Sequence, residues 1–148
     1  MEIELPQDFK EFLRLLHSHR VNYLLVGGYA VGYHGYPRAT NDIDIWIERD
    51  PRNAERIVSV LCEFGFDTPE LTSGLFIQEN SVVQFGAPPM RTYVITTIAG
   101  VSFQECYPTG ITIGVDDFEI RLIDLANLKI NKRASGRHKD LDDLEHLP

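Results

Sequence analysis

Apolar side chains in this chain recur with two rhythms, and each rhythm predicts a different kind of element. Over residues 7–20, Phe9, Phe12, Leu13 and Leu16 fall at helical spacing, with Pro6 just ahead of the first turn. The run from Val21 to Val26 reads as a short buried strand that stops at the pair Gly27-Gly28. Tyr29 to Tyr33 fits a short helix, closed by His34-Gly35 and followed by the loop Tyr36-Pro37-Arg38-Ala39-Thr40. From Asn41 to Glu48 polar and apolar residues alternate with the period of a strand. Asp50 and Pro51 then suit the N-cap and first position of a helix over 51–64, apolar through Ala54, Ile57, Val58 and Leu61 and stopped by Gly65.

Past residue 74 the rhythm shortens. Strands are expected at Leu75–Gln78, Val82–Phe85, Tyr93–Thr97, Ser102–Cys106, Ile111–Val115 and Glu119–Leu122, parted by Gly, Pro and Asn signals. Asp124 can cap an expected helix from Leu125 to about Ala134, and a last helix is expected over Lys139–Leu147. The sum is an α/β (α+β) chain, a small mixed sheet flanked by helices, read as a single domain over 1–148. A length of 148 residues suffices for that, since such a domain buries roughly 70% of its unfolded surface.

Composition narrows the classes. Hydrophobic residues at 43% and charged residues at 24% exclude a disordered chain. Cys62 and Cys106 have no partners at metal-ligand spacing, which excludes a disulfide scaffold and a zinc ribbon. No apolar run reaches the roughly 18 residues of a membrane span, and Met1-Glu2-Ile3-Glu4 is acidic where a signal peptide is basic. A soluble, cytoplasmic protein with no membrane partner is therefore expected. With 14 basic against 22 acidic residues the net charge is −8, which argues against sequence-independent binding to duplex DNA. A small phosphorylated ligand held by a few local cations stays open.

The densest chemistry lies in Asn41-Asp42-Ile43-Asp44-Ile45-Trp46-Ile47. On a strand Asp42 and Asp44 share one face and the three isoleucines the other, and the two aspartates stand about 7 Å apart at Cα. Two like charges on one strand face repel. A divalent cation offsets that directly, because Mg2+ accepts one or two carboxylates together with phosphate oxygens. An exposed face that merely carries two acids is the plainer alternative. Gly27-Gly28 lets the backbone approach a phosphate closely at the start of a helix, or simply makes a tight turn.

Val26-Gly27-Gly28, thirteen residues, then Asp42-Ile43-Asp44-Ile45 resembles the signature of the nucleotidyltransferase fold shared with DNA polymerase beta and kanamycin nucleotidyltransferase. The fuller string Gly27-Gly28-Tyr29-Ala30, His34-Gly35, Arg38-Ala39-Thr40 and Asp42-Ile43-Asp44 is similar to small bacterial nucleotidyltransferase-like proteins related to AbiEii-type toxins and MNT-type antitoxins. The likeness continues in Gly100-Val101-Ser102-Phe103, Asn131-Lys132-Arg133-Ala134, Gly136-Arg137 and Lys139-Asp140.

The resemblance implies transfer of a nucleoside monophosphate from a nucleoside triphosphate to a hydroxyl or similar acceptor, with Mg2+ (or Mn2+) as cofactor. Asp42 and Asp44 would hold the metal and carry catalysis, and Gly27 and Gly28 would hug the triphosphate. The family's third metal carboxylate, on a neighbouring strand, falls in Pro89-Met90-Arg91-Thr92-Tyr93-Val94-Ile95-Thr96-Thr97, where Tyr93 stands in its place. A phenol is a poor Mg2+ ligand and a poor base near neutrality. Glu105 from the next expected strand, or Asp116 or Asp117 from the turn after it, are the candidate substitutes.

Lys132 and Lys139 match the family string and are candidate triphosphate contacts, along with Arg38 and Thr40. The alternatives are ordinary ones: cations near a helix C-terminus complement its dipole, and Thr40 can simply close a turn. Arg91 is a candidate phosphate or acceptor contact, His34 is structural or catalytic, and Trp46 stacks on a base or fills the core. Three functions follow: a metal-dependent nucleotidyltransferase; a catalytically impaired nucleotide- or partner-binding module, for example of a toxin–antitoxin pair; or motifs left without a ligand. The acceptor, a partner protein or RNA, could be presented by another molecule or across a homodimer interface.

Overall fold

The sheet is mixed because long crossovers join its central strands, while each outer strand pairs antiparallel with its neighbour in sequence. The computed structural model describes residues 4–87 and 90–148, so the expectations placed on Met1, Glu2, Ile3 and Pro89 lie outside the described residues. In chain order the elements are α1 (Gln7–Ser18), β1 (Tyr23–Val26), α2 (Gly27–Tyr33), β2 (Asp42–Ile47), α3 (Pro51–Glu63), β3 (Val82–Ala87) and β4 (Met90–Ile95). There follow α4 (Phe103–Cys106), β5 (Ile111–Val115), β6 (Phe118–Leu122), α5 (Leu125–Ser135) and α6 (His138–His146). The strands lie in the order β3-β4-β2-β1-β6-β5. β1 and β2 are antiparallel, β2 and β4 parallel, β1 and β6 parallel, and the outer pairs β3–β4 and β5–β6 antiparallel.

α1 buries the four side chains that its periodicity predicts, Phe9, Phe12, Leu13 and Leu16. Their burial contributes on the order of 6–12 kcal/mol as an upper estimate. The expected cap of α3 is present: Asp50 accepts from the N–H groups of Arg52 and Asn53 at 3.0 and 3.2 Å. Asn53 itself is buried, donates to the carbonyls of Asn22 and Glu48, and accepts from the Asn22 N–H. It thereby ties the start of α3 to the segments flanking β1 and β2. Those ties fix β2 in place, and β2 carries the acidic pair.

Two expected strands are not strands. Ser73–Phe76 forms a 3-10 turn that buries Phe76, where a strand was expected over Leu75–Gln78. Ser102–Cys106 gives, in place of a strand, the short helix α4 with Ser102 at the position before its first turn. Four-residue apolar runs do not separate helix from strand by period alone, and packing decides them. α4 also settles Trp46. Phe103 lies edge-on to the indole at 5.3 Å, Nε1 donates to the Thr96 carbonyl at 3.3 Å, and the side chain is 1% exposed. Trp46 is a core residue and offers no face to a base. No helix among the described residues is long and apolar enough to cross a membrane.

Candidate functional site

β1 ends in a backbone conformation that only glycine adopts cheaply. Gly27 has φ +70°, and a Cβ placed there would lie 2.0 Å from Oδ2 of Asp44. The contact puts the Gly27 backbone directly against the second aspartate. At Gly28 an added Cβ would approach Thr40 Oγ1 to 3.0 Å. Thr40 closes the entry to β2: its hydroxyl donates to the Asp42 carbonyl at 3.2 Å, and the Asp42 N–H points back at 3.4 Å. That geometry is the turn-closing role, and Thr40 is not among the residues lining the cleft described next.

In β2 the alternation holds where it matters. Ile43, Ile45 and Ile47 are fully buried on one face, and Asp42 and Asp44 stand half-buried on the other. Burial, then the neighbouring Asp42 charge, push the Asp44 carboxyl above the usual carboxylate range; Lys139, Lys132 and Arg137 pull it back. Across the sheet Asp44 is in register with Tyr93 of β4, so phenol and carboxylate share a face.

The opposite wall is built by α5 and α6. Lys132, 4% exposed, donates to Asp140 at 3.1 Å and pairs with Asp143 at 2.9 Å. Asp140 also accepts from Ser135 Oγ at 2.7 Å and Arg137 Nε at 2.8 Å. Burial pushes the Asp140 carboxyl up, but the hydrogen bonds from Arg137, Ser135 and Lys132 more than offset it and hold it well below the ordinary range. Asp143 is governed the same way: burial raises it, and Arg38 and Lys132 hold it low. This lattice pins α6 to α5 and presents exposed Lys139 and Arg137 toward Asp44.

Between these walls lies a cleft of about 390 Å³ whose lining includes Gly27, Asp42, Asp44, Tyr93, Asn131, Lys132, Ser135, Arg137 and Lys139. The structure thus gathers Gly27, Asp42, Asp44, Lys132 and Lys139 into one place. Lys132 enters it already neutralised by two buried acids, a structural cation first. Arg38 is held elsewhere, in a two-pronged pair with Asp143 at 2.9 and 3.1 Å. Glu105 is not a third ligand: it sits exposed on α4, a helix and not the expected strand, outside the cleft lining. Asp116 and Asp117 pair with Lys10 and Arg14 at the β5–β6 turn, away from the cleft. Arg91 lies opposite Asp42 in β4 but does not line the cleft, and His34 donates from its ring to the Ile123 carbonyl at 2.7 Å. Among the described residues no group of three His, Cys, Asp or Glu side chains is gathered to hold a metal.

Ser135 and Asp143 escaped the sequence reading, and Asn131 and Asp140 entered it only within the strings that carry the resemblance, without a role. Their signal was present: a cation-rich α5 followed by acids three apart on one face of α6. A second cavity, about 260 Å³, is lined by Phe9, Phe12, Phe64, Phe66 and Phe85 with Asp8 as its one charged lining residue. It offers nothing that could handle a polyphosphate.

No family model and no curated protein sequence matches the chain. A crystal structure from Thermotoga maritima, named a "putative nucleotidyltransferase", matches it with TM-score 0.63 at 14% identity, over 93% of this chain and 88% of that one. The six-stranded mixed sheet flanked by helices is therefore a nucleotidyltransferase-like fold.

Proposed function

We propose that the cleft binds a nucleoside triphosphate together with Mg2+ or Mn2+ and transfers its nucleoside monophosphate to an acceptor. The observation that carries this reading is the pressing of the Gly27 backbone against Asp44, on the face that Asp42 shares and opposite Lys139 and Arg137. The donor set suits a hard cation: two neighbouring carboxylates whose mutual repulsion the cations of the α6 wall only partly offset, and room left for phosphate oxygens. When bound, such a cation screens the phosphates and stabilises charge on the leaving pyrophosphate.

The chain's own residues do the rest. Asp42 and Asp44 supply ligand oxygens, the backbone at Gly27 admits the phosphates closely, and Lys139 and Arg137 draw the far end of the triphosphate to the α6 wall. The resemblance of the motif string to small bacterial toxin- and antitoxin-type proteins supports an acceptor on a partner protein, with RNA the other class.

A second reading is favoured by Tyr93. With a phenol beside Asp44, and with Asp140, the third acid of the cleft lining, engaged by Lys132, Ser135 and Arg137, the cleft lacks a free base for an incoming hydroxyl. The chain is then a nucleotide-binding module of a protein pair, without turnover. Thermal melting with ATP and Mn2+ tests the site. The expected result is a cation-dependent rise that Asp42→Asn with Asp44→Asn abolishes; an equal rise in that double variant contradicts the assignment. Pyrophosphate release on adding acceptor candidates separates transferase from module.

A further inference from the structure

Arg38 stands outside the cleft lining, four residues ahead of Asp42, yet it is joined to the cleft through buried charges. Its Nε and Nη2 donate to the two oxygens of Asp143 at 2.9 and 3.1 Å, and that carboxylate is 1% exposed. Asp143 pairs with Lys132 at 2.9 Å, Lys132 with Asp140 at 3.1 Å, and Asp140 with Arg137 at 2.8 Å. These contacts form one row of alternating charge, Arg38–Asp143–Lys132–Asp140–Arg137. Its three central members are buried, and its far end, Arg137, lines the cleft. Tyr36 reinforces the near end: its hydroxyl donates to Asp142 at 3.2 Å, and its ring stacks on His146 at 4.1 Å. The loop that leads into β2 is thus tied to α6 at two places.

The charges do not balance without both ends. Two buried acids against one buried lysine leave one negative charge over, and the arginine at each end shares it. The two arginines are differently placed. The Arg137 side chain is 74% exposed and faces the cleft, whereas the Arg38 side chain is 20% exposed and lies away from it. Inside a protein such charges screen one another weakly, so what one end supplies the other need not. With Arg38 in place, Asp143 is satisfied by a two-pronged bond and Lys132 is left to share Asp140. Without it, Asp143 draws Lys132 to itself, and Asp140 falls to Arg137.

We propose that Arg38 is a positioning residue for the triphosphate: by neutralising Asp143 it frees Arg137 for an incoming phosphate and keeps α6 seated with Lys139 toward Asp44. The inference rests on the proposed triphosphate site, and it places part of the control of that site's affinity in a residue that does not line it. The role is electrostatic, so it depends on the charge at position 38 and acts through Arg137.

The experiment is calorimetric titration of ATP with Mn2+ into the full chain, with circular dichroism at the same temperature to verify that each variant is folded. Arg38→Ala is expected to weaken binding about 3- to 30-fold, the span for network residues that contact no ligand. Arg38→Lys, which keeps the charge and loses the fork, binds more tightly than Arg38→Ala. In an Arg137→Ala background the Arg38→Ala change weakens binding by less than about twofold, because the cation it acts through is gone. A general loosening of the fold gives instead losses that multiply and no rescue by lysine. Where Arg38→Ala does not fold, Arg38→Lys takes its place: its smaller loss must be present in the parent and vanish in Arg137→Ala. Parent-like binding in Arg38→Ala, multiplying losses, or a lysine variant no better than alanine overturns the inference while leaving the triphosphate site standing. No binding of ATP with Mn2+ to the parent overturns both.

Discussion

Replacing Gly27 with alanine separates two costs that the structure predicts to act together. The first is conformational: φ is +70°, and an L-residue there costs about 1–2 kcal/mol. The second is crowding: the new Cβ would sit 2.0 Å from Oδ2 and 2.9 Å from Cγ of Asp44. Asp44 is held in a central strand, so its side chain must leave its rotamer or the strand must shift, an overpacking cost of about 1–3 kcal/mol. The expected loss is about 2–5 kcal/mol. Gly136 supplies the control: its φ is +66°, and the nearest atom to an added Cβ is the Arg133 carbonyl oxygen at 3.8 Å. Gly136→Ala therefore bears the conformational cost alone, about 1–2 kcal/mol. Urea unfolding of both variants, checked for unchanged slope, measures the difference. Asp44→Ala removes Oδ2 and Cγ, so the double variant Gly27→Ala/Asp44→Ala recovers about 1–3 kcal/mol of the crowding cost, as coupled neighbours do. Equal losses at Gly27 and Gly136, or no recovery in the double variant, would mean that Gly27 does not press on Asp44.

Further outcomes follow from the same geometry. Lys132→Met strands Asp140 and Asp143 without their shared cation and lowers stability by about 3–5 kcal/mol in urea unfolding. Because Asp140 and Asp143 are held below their ordinary values, their contribution is fully present above the unfolded aspartate value near 3.9 and is lost as pH falls below it toward their folded values. Acid titration of stability should show that loss, and Arg38→Ala should shrink it. Asp42→Asn with Asp44→Asn removes a like-charge pair whose second member burial already disfavours, so the ligand-free protein should gain up to about 1 kcal/mol, read as a higher denaturant midpoint. A double variant less stable than the parent would assign the pair a structural role.

The site's acidic strand was legible because period-two alternation is unambiguous when isoleucines alternate with aspartates. The glycine pair was legible as a turn, and only the structure shows that it is crowded against Asp44. Trp46 was open between stacking on a base and filling the core because a strand face changes its cover along its length: half-buried at Asp42, and sealed by α4 at Trp46. α4 escaped in turn because Ser102 with Glu105 three residues on, a helix-start signature, lay inside a short apolar run. Arg38 and Lys132 were read as phosphate cations because a sequence displays charges without their partners. Here the partners, Asp140 and Asp143, come from α6, whose packing against α5 and Arg38 is a tertiary contact that the sequence does not display.

The most direct measurement is a crystal structure of the protein with Mn2+ and a non-hydrolysable ATP analogue, using the metal's anomalous signal. The prediction is a Mn2+ peak bound by oxygens of Asp42 and Asp44, with the phosphates running past Gly27 toward Lys139. Nucleotide bound elsewhere, or both carboxylates facing only water while the analogue is present at saturation, would contradict it.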